Sequence, residues 1–259
     1  MAHYRSIFIS DLHLGARGVQ AEAVVNFLNL NTCDHLYLVG DIIDFWALSR
    51  KSYFPVSHRA VLQRITFLAS HGTKVTYIPG NHDEAFRMFL PVTFDGVKFV
   101  NEVEHVTAAG KRYLVIHGDQ FDHVMENMRW LAYIGDVAYS LSLRMNCSIN
   151  RLRASLGLPR WSFSAYMKHR VKSAVNFISN FEETLALAAK ERNCDGVICG
   201  HIHTAVDREI AGVHYLNTGD WVESCTALVE TADGRLSIET FDVSTPSYLA
   251  PVVPFRRAA

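Results

Sequence analysis

Cysteine is scarce. The five in 259 residues (Cys33, Cys147, Cys194, Cys199 and Cys225) are odd in number and show no CxxC spacing. That argues against a disulfide framework or a thiolate zinc site and for a reducing compartment. No run of 18 uninterrupted apolar residues occurs, so a spanning helix is not expected. Net charge is nearly absent as well, at −1, which removes the case for a generally basic nucleic-acid binder; no nucleic-acid partner is expected. The opening "MAHYRSIFIS" reaches a charged "DLH" before an apolar signal segment could form. The expectation is a cytoplasmic protein, with a peripheral contact at the inner face of the membrane left open. Internal repeats and low-complexity linkers are also missing.

Hydrophobic residues make up 49% of the chain, enough for one substantial core with a smaller appendage. Short apolar runs with β-branched and aromatic residues, "SIFIS" (6–10), "HLYLVG" (35–40), "KVTYIPG" (74–80), "YLVIHG" (113–118) and "GVICG" (196–200), read as buried strands. "AEAVVNFLNL" and "HRAVLQRITFLAS" between them carry apolar residues at i, i+3, i+4 and i+7, as helices packed on a sheet do. The order β-α-β-α-β predicts an α/β sheet. "GVHYLNTG", "CTALVE" and "RLSIETF" follow closely and predict added antiparallel strands.

Residues 121–180 differ. They show no clear strand and hold eight Lys/Arg against three Asp/Glu, a balance of +5 that leaves −6 for the rest of the chain. The segment is read as a basic, amphipathic helical insertion in a single domain spanning 1–259. Such a segment serves three roles equally well: resting on anionic lipid, gripping a substrate's phosphates, or forming a solvated face over a small core. Lys168 and Lys172, four apart, are the candidate phosphate-gripping pair. Trp130, Tyr133, Phe163 and Tyr166 suit either an acyl pocket or ordinary core.

Five strand-like runs end in oxygen and nitrogen donors: "SDLH" (Asp11, His13), "GDIID" (Asp41, Asp44), "GNHDE" (Asn81, His82, Asp83), "HGD" (His117, Asp119) and "GHIH" (His201, His203). In an α/β sheet such ends converge on one crevice. Mixed imidazole and carboxylate donors suit two divalent ions of Mn, Fe, Zn or Co. A shared carboxylate between two cations lowers their repulsion, and a water held between them acidifies toward neutral pH. Asn81 would ligate without adding charge. His82 would face the substrate, to steady transition-state charge or protonate the departing oxygen, with Asp83 fixing its tautomer. Asp44, Asp119 and Asp220 are assigned supporting roles, capping turns or orienting ligands.

Taken in order, D-x-H, G-D, G-N-H-[DE], H-G and G-H-x-H resemble the signature of the calcineurin-like metallophosphoesterase superfamily. The resemblance implies a double β-sandwich flanked by helices (αββα), with the later strand-rich part forming the second sheet. It also implies that Asp11, His13, Asp41 and His203 hold one metal and Asp41, Asn81, His117 and His201 the other, Asp41 bridging. "ISDLHLG", "GDIIDFW" and "NTGDWVES", with an insertion after "HGD", resemble the UDP-2,3-diacylglucosamine diphosphatase branch of lipid A synthesis. That likeness implies cleavage of a lipid-linked nucleotide sugar to UMP and diacylglucosamine 1-phosphate, usually with manganese, under a lid formed by the insertion. Asn81, His82, Lys168 and Lys172 would then contact substrate. The branch usually carries Arg where this chain has His82. Arg suits a phosphate leaving group; His suits an alkoxide that must be protonated.

Two alternatives stand beside this reading. One is a phosphodiesterase or phosphatase acting on a nucleotide, cyclic nucleotide or phosphoprotein. The other is an inactive interaction scaffold of the same fold, which predicts gaps in the ligand set; the sequence shows none.

Overall fold

Buried on both faces, the apolar ends of the first strands settle the architecture of the computed structural model, which describes residues 2–121, 178 and 180–244. The chain divides into two compact units, Met1–Asp119 with Leu185–Ala259, and Gln120–Thr184. Nearly all of the second unit, and with it the expected insertion, Cys147, Lys168, Lys172, Trp130, Tyr133, Phe163 and Tyr166, lies outside the described residues.

In the first unit the order is β1 (Ala2–Ile9), α1 (Ala21–Leu30), β2 (Asn31–Val39), α2 (Phe45–Arg50), α3 (Val56–Ser70), β3 (Lys74–Ile78), β4 (Val92–Phe94), β5 (Val97–Phe99), β6 (Val103–Val106) and β7 (Arg112–Val115). Later in the chain come β8 (Gly196–Cys199), β9 (Val206–Ile210), β10 (Val213–Asn217), β11 (Thr226–Glu230) and β12 (Leu236–Thr240). They form a seven-stranded sheet, β12-β11-β1-β2-β3-β5-β4, and a five-stranded sheet, β6-β7-β8-β10-β9. Strands β1, β2, β3 and β5 run parallel, as do β7, β8 and β10, with antiparallel strands at the edges.

Alternation along each strand feeds two cores. Ile7 and Ile9 on β1 and Leu36 and Leu38 on β2 pack with Val24 and Leu28 of α1 and Val61, Ile65 and Leu68 of α3. Phe8, Tyr37, Val39 and Ile78 face the other way, onto Tyr113, Val115, Ile198 and Leu216 of the five-stranded sheet. This two-sided burial is why the strands read as unbroken apolar runs. Among the described residues no helix is long and apolar enough to cross a membrane.

One expectation is corrected. The late strands do not together build the second sheet: β8, β9 and β10 join it, whereas β11 and β12 extend the first sheet beside β1. Strand β11 is suited to that place because both its faces are apolar, Ala227 and Val229 meeting the helices' core and Leu228 the core between the sheets. Nor is the late part wholly antiparallel, since β10 lies parallel to β8.

A buried polar knot ties the sheets at the end opposite the strand exits. Glu230 of β11 accepts hydrogen bonds from Arg5 (2.6 Å), Ser6 (2.8 Å) and the Ala108 amide (2.8 Å), and lies 2.9 Å from His105 Nε2 on β6. The partners outweigh burial and hold its carboxyl down at about 2. A depressed carboxyl stabilises the fold above its unfolded value and loses that contribution as pH falls through the folded one. Glu230→Gln is expected to cost about 1–3 kcal/mol near neutral pH. In urea unfolding the gap from the unmodified protein should shrink between about pH 4.5 and pH 2, where both side chains are neutral.

Candidate active site

Strand exits deliver the site. The loop after β1 carries Asp11 and His13, that after β2 Asp41 and Asp44, that after β3 Asn81 and His82, that after β7 His117 and Asp119, and that after β8 His201 and His203. The first two loops are laced in register: Asp11 N donates to Gly40 O (3.0 Å), His13 N to Asp41 O (2.8 Å) and Leu14 N to Ile42 O (2.9 Å). Among the described residues nine non-glycine residues have positive φ, and five of them are Asp11 (53°), His13 (51°), Asp41 (54°), His201 (74°) and His203 (54°). Left-handed backbone costs a β-carbon-bearing residue about 1–3 kcal/mol, so its concentration here marks a site whose direction matters more than its comfort.

Three overlapping groups of donors emerge, Asp11/His13/His203, His13/Asp41/His82 and Asp41/His117/His201. Asp41 Oδ2 lies 3.5 Å from His117 Nε2 and 3.9 Å from both His13 Nε2 and His82 Nε2. His203 Nε2 is 3.3 Å from Asp11 Oδ1 and 3.2 Å from His13 Nε2. Donors bound at about 2.0–2.2 Å to a common ion stand about 3–4 Å apart, so this spacing fits ions better than direct hydrogen bonds. Three buried atoms make the same point: Asp11 Oδ1, Asn81 Oδ1 and His117 Nε2 have no hydrogen-bond partner, a costly state unless a cation completes them. The residues present therefore fit two divalent ions, with Asp41 in two of the three groups and His13 linking it to the third.

Outer contacts orient these donors. His117 Nδ1 faces Val39 O at 2.8 Å, which turns Nε2 toward Asp41. Asp11 Oδ2 accepts from Ser10 Oγ and from His201 N (3.0 Å). Burial alone would lower His117, yet Asp41, helped by Asp11 and Asp119, pushes it up to about 10. His13 is likewise raised, against burial, by Asp44, Asp11 and Asp41. Against its own burial, Asp41 is held well below the usual carboxylate range by His117, His82 and His13. The cluster thus concentrates negative potential where protons and metal ions compete.

Asp83 departs from expectation. Its carboxylate is fully buried and accepts from Gly80 N (2.6 Å), Ile42 N (2.8 Å), Ile43 N (3.3 Å) and Tyr77 Oη (2.5 Å), rather than from His82. It sits under the loops as a shared acceptor because the chain bends at Asn81 and turns at His82–Asp83, which brings its carboxylate back onto Gly80 N. The partner of His82 is Asp44, whose Oδ1 lies 3.1 Å from His82 Nδ1 while its Oδ2 lies 3.6 Å from His13 Nδ1. Asp44 also caps α2, accepting from Ala47 N at 2.7 Å. Burial is outweighed by His13, His82 and Ala47, and its carboxyl falls well below the usual range. The Trp46 ring backs His82 at 4.3 Å between centroids. The three-residue spacing in "GDIID" was the sequence signal for Asp44; nothing local signalled Tyr77 or Ser10. Asp220 serves the turn after it, accepting from Val222 N and Glu223 N at 2.7 and 2.6 Å. Asp119 is gripped by Arg87.

With the geometry in place, comparison with known proteins agrees. The Calcineurin-like phosphoesterase family profile matches residues 4–205, and the chain belongs to that family. It is a metal-dependent phosphoester hydrolase of the two-sheet metallophosphoesterase fold. A UDP-2,3-diacylglucosamine hydrolase of Shewanella sp. (strain ANA-3) is 26% identical over 262 residues, covering 93% of this chain and all of that one. One from Tolumonas auensis is 30% identical over 141 residues, covering 49% of this chain and 56% of its own. A solved archaeal phosphodiesterase aligns over 91% of this chain and 99% of its own at 12% identity, with a TM-score of 0.45.

Gly80 is where a single carbon should undo the site. A Cβ there would lie 2.3 Å from Asp41 Oδ1 and 2.6 Å from His117 Nε2. Gly80→Ala is expected to keep its circular dichroism spectrum and lose at least about 100-fold in metal-dependent turnover, the scale of an ångström-level misplacement. Metal content by mass spectrometry should fall with it.

Proposed function

We propose that the chain hydrolyses a UDP-2,3-diacylglucosamine-like lipid at its pyrophosphate, releasing UMP and a diacylglucosamine 1-phosphate on the cytoplasmic side of a membrane. The observation that carries this reading is the alignment over the whole length of the Shewanella enzyme, joined to a donor set without gaps. Asp11, His13, Asp41 and His203 would hold one ion and Asp41, Asn81, His117 and His201 the other. When bound, two divalent ions, manganese on this reading, polarise the phosphoryl oxygens and acidify the attacking water.

The chain's own residues would do the rest. Asp41 would share its negative charge between the ions, and Asn81 would ligate without adding charge, which leaves the ions more electrophilic than another carboxylate would. Asp44 lies beside His82 Nδ1 at 3.1 Å, and His82 Nε2, on the Asp41 side of the ring, would donate a hydrogen bond or a proton to the departing oxygen. Trp46 backs the ring and limits its tilt. The assignment of acyl chains and phosphates to segment 121–180, with Lys168 and Lys172 gripping the latter, belongs to the same proposal and rests on sequence alone.

The Asp44–His82 pair favours a second reading. A histidine backed by a carboxylate is equipped to protonate an alkoxide, which a phosphate leaving group does not require. A phosphodiesterase or phosphomonoesterase with an alkyl leaving group therefore stands as the rival.

Purified protein with manganese should release UMP from UDP-2,3-diacylglucosamine at about 1 per second or faster, and Asp41→Ala should abolish this. If only simple diesters turn over, the lipid assignment falls and the rival takes its place. His82→Gln separates the two further: alkyl diester turnover should drop about 10²–10⁴-fold if His82 is a proton donor, while an aryl diester with a good leaving group changes little.

A further inference from the structure

Arg87, at the end of the short 3-10 helix Glu84–Phe89, is absent from any donor group yet makes three strong hydrogen bonds. Its Nη1 donates to Asp119 Oδ2 at 2.8 Å, and its Nη2 donates both to Asp119 Oδ1 at 2.7 Å and to Pro79 O at 2.8 Å. The ends of this grip belong to different sheets. Pro79 opens the β3 exit of the seven-stranded sheet and leads within two residues to Asn81; Asp119 closes the β7 exit of the five-stranded sheet, two residues past His117. The guanidinium is 28% exposed and the Asp119 carboxylate 7%, so the fork is substantially removed from water and its geometry is firm.

A second tie across the sheets, the His201 amide on Asp11 Oδ2, joins a donor expected on one ion to a donor expected on the other. His117 is also tied to the seven-stranded sheet by Nδ1 on Val39 O at 2.8 Å, a contact that orients its ring from β2 but does not reach the loop that carries Asn81. His117 and Asp41 stand 3.5 Å apart with like demands on the same ion, and neither can fix the distance between the two loops. A planar fork with parallel donors can.

We infer that Arg87 is a positioning residue that sets the spacing of Asn81 and His117, and so the affinity of the ion they share with Asp41, without touching metal or substrate. This rests on the two-ion reading of the site. A lysine at the same place supplies a point charge but no fork, and cannot hold Asp119 and Pro79 O together.

Calorimetric titration of metal-free protein with cobalt(II), followed also by the visible spectrum of the bound ion, tests it. The unmodified protein should bind two ions. Arg87→Met, Arg87→Lys and the near-isosteric Asp119→Asn should each weaken one binding step about 10–100-fold and leave the other within about threefold. The weakened step should be the one that Asn81→Ala removes, not the one that His203→Ala removes. At saturating cobalt the turnover of a small diester by Arg87→Met should return to near the unmodified rate with unchanged KM. The inference is overturned if both steps weaken alike, if neither does, or if KM stays raised at saturating metal, which would make Arg87 a substrate contact. Fewer than two ions on the unmodified protein would instead sink the two-ion reading itself.

Discussion

Charge crowding at the Asp41 carboxylate is the constraint on which the site depends. Three imidazoles stand within 3.9 Å of one of its oxygens, while the other accepts the His82 amide at 2.8 Å. Asp41 and His13 are held in direction by left-handed backbone, and His117 by its Nδ1 on Val39 O, so the cluster has little freedom to relax into ordinary hydrogen bonds. The arrangement is unfavourable for an empty protein and favourable for one that holds cations. The sandwich below it, with apolar residues on both faces of the parallel strands, provides the rigidity that keeps such a cluster from collapsing.

Support for the cluster is layered. Asp83 gathers three backbone amides and the Tyr77 hydroxyl beneath the β2 and β3 exits, so one buried carboxylate fixes the loops that carry Asp41 and Asn81. Its pKa is raised, chiefly by burial and further by the neighbouring Asp41 charge, with the Tyr77 hydroxyl pulling the other way. Asp44 works at the rim, shared between His13 and His82. The same residue type thus serves as the centre of the imidazole cluster, as internal brace and as histidine neighbour, and only its surroundings decide which.

The family rests on residues 4–205, which span every donor loop. The substrate proposal rests in addition on His82 with Asp44 and on the basic composition of residues 121–180.

Sequence alone determined the ordered ligand motifs, the helices at 21–30 and 56–70 to within two residues, and the five strands whose exits converge, because apolar runs buried on both faces and donors placed just behind them leave a local trace. It did not reveal the short strands β4, β5, β6 and β9, three of them at sheet edges, which are short or half-exposed and lack an apolar pattern. It placed β11 and β12 in the wrong sheet, since the partner of a strand is a long-range choice made by both faces at once. It gave His82 the adjacent Asp83 as partner, but the turn at His82–Asp83 sends the Asp83 carboxylate inward to the Gly80, Ile42 and Ile43 amides and leaves His82 beside Asp44. Pairings such as Asp44 with His82 and Arg87 with Asp119 were decided by tertiary structure, because they join residues that meet only after two sheets have packed and their loops have been fixed by backbone hydrogen bonds.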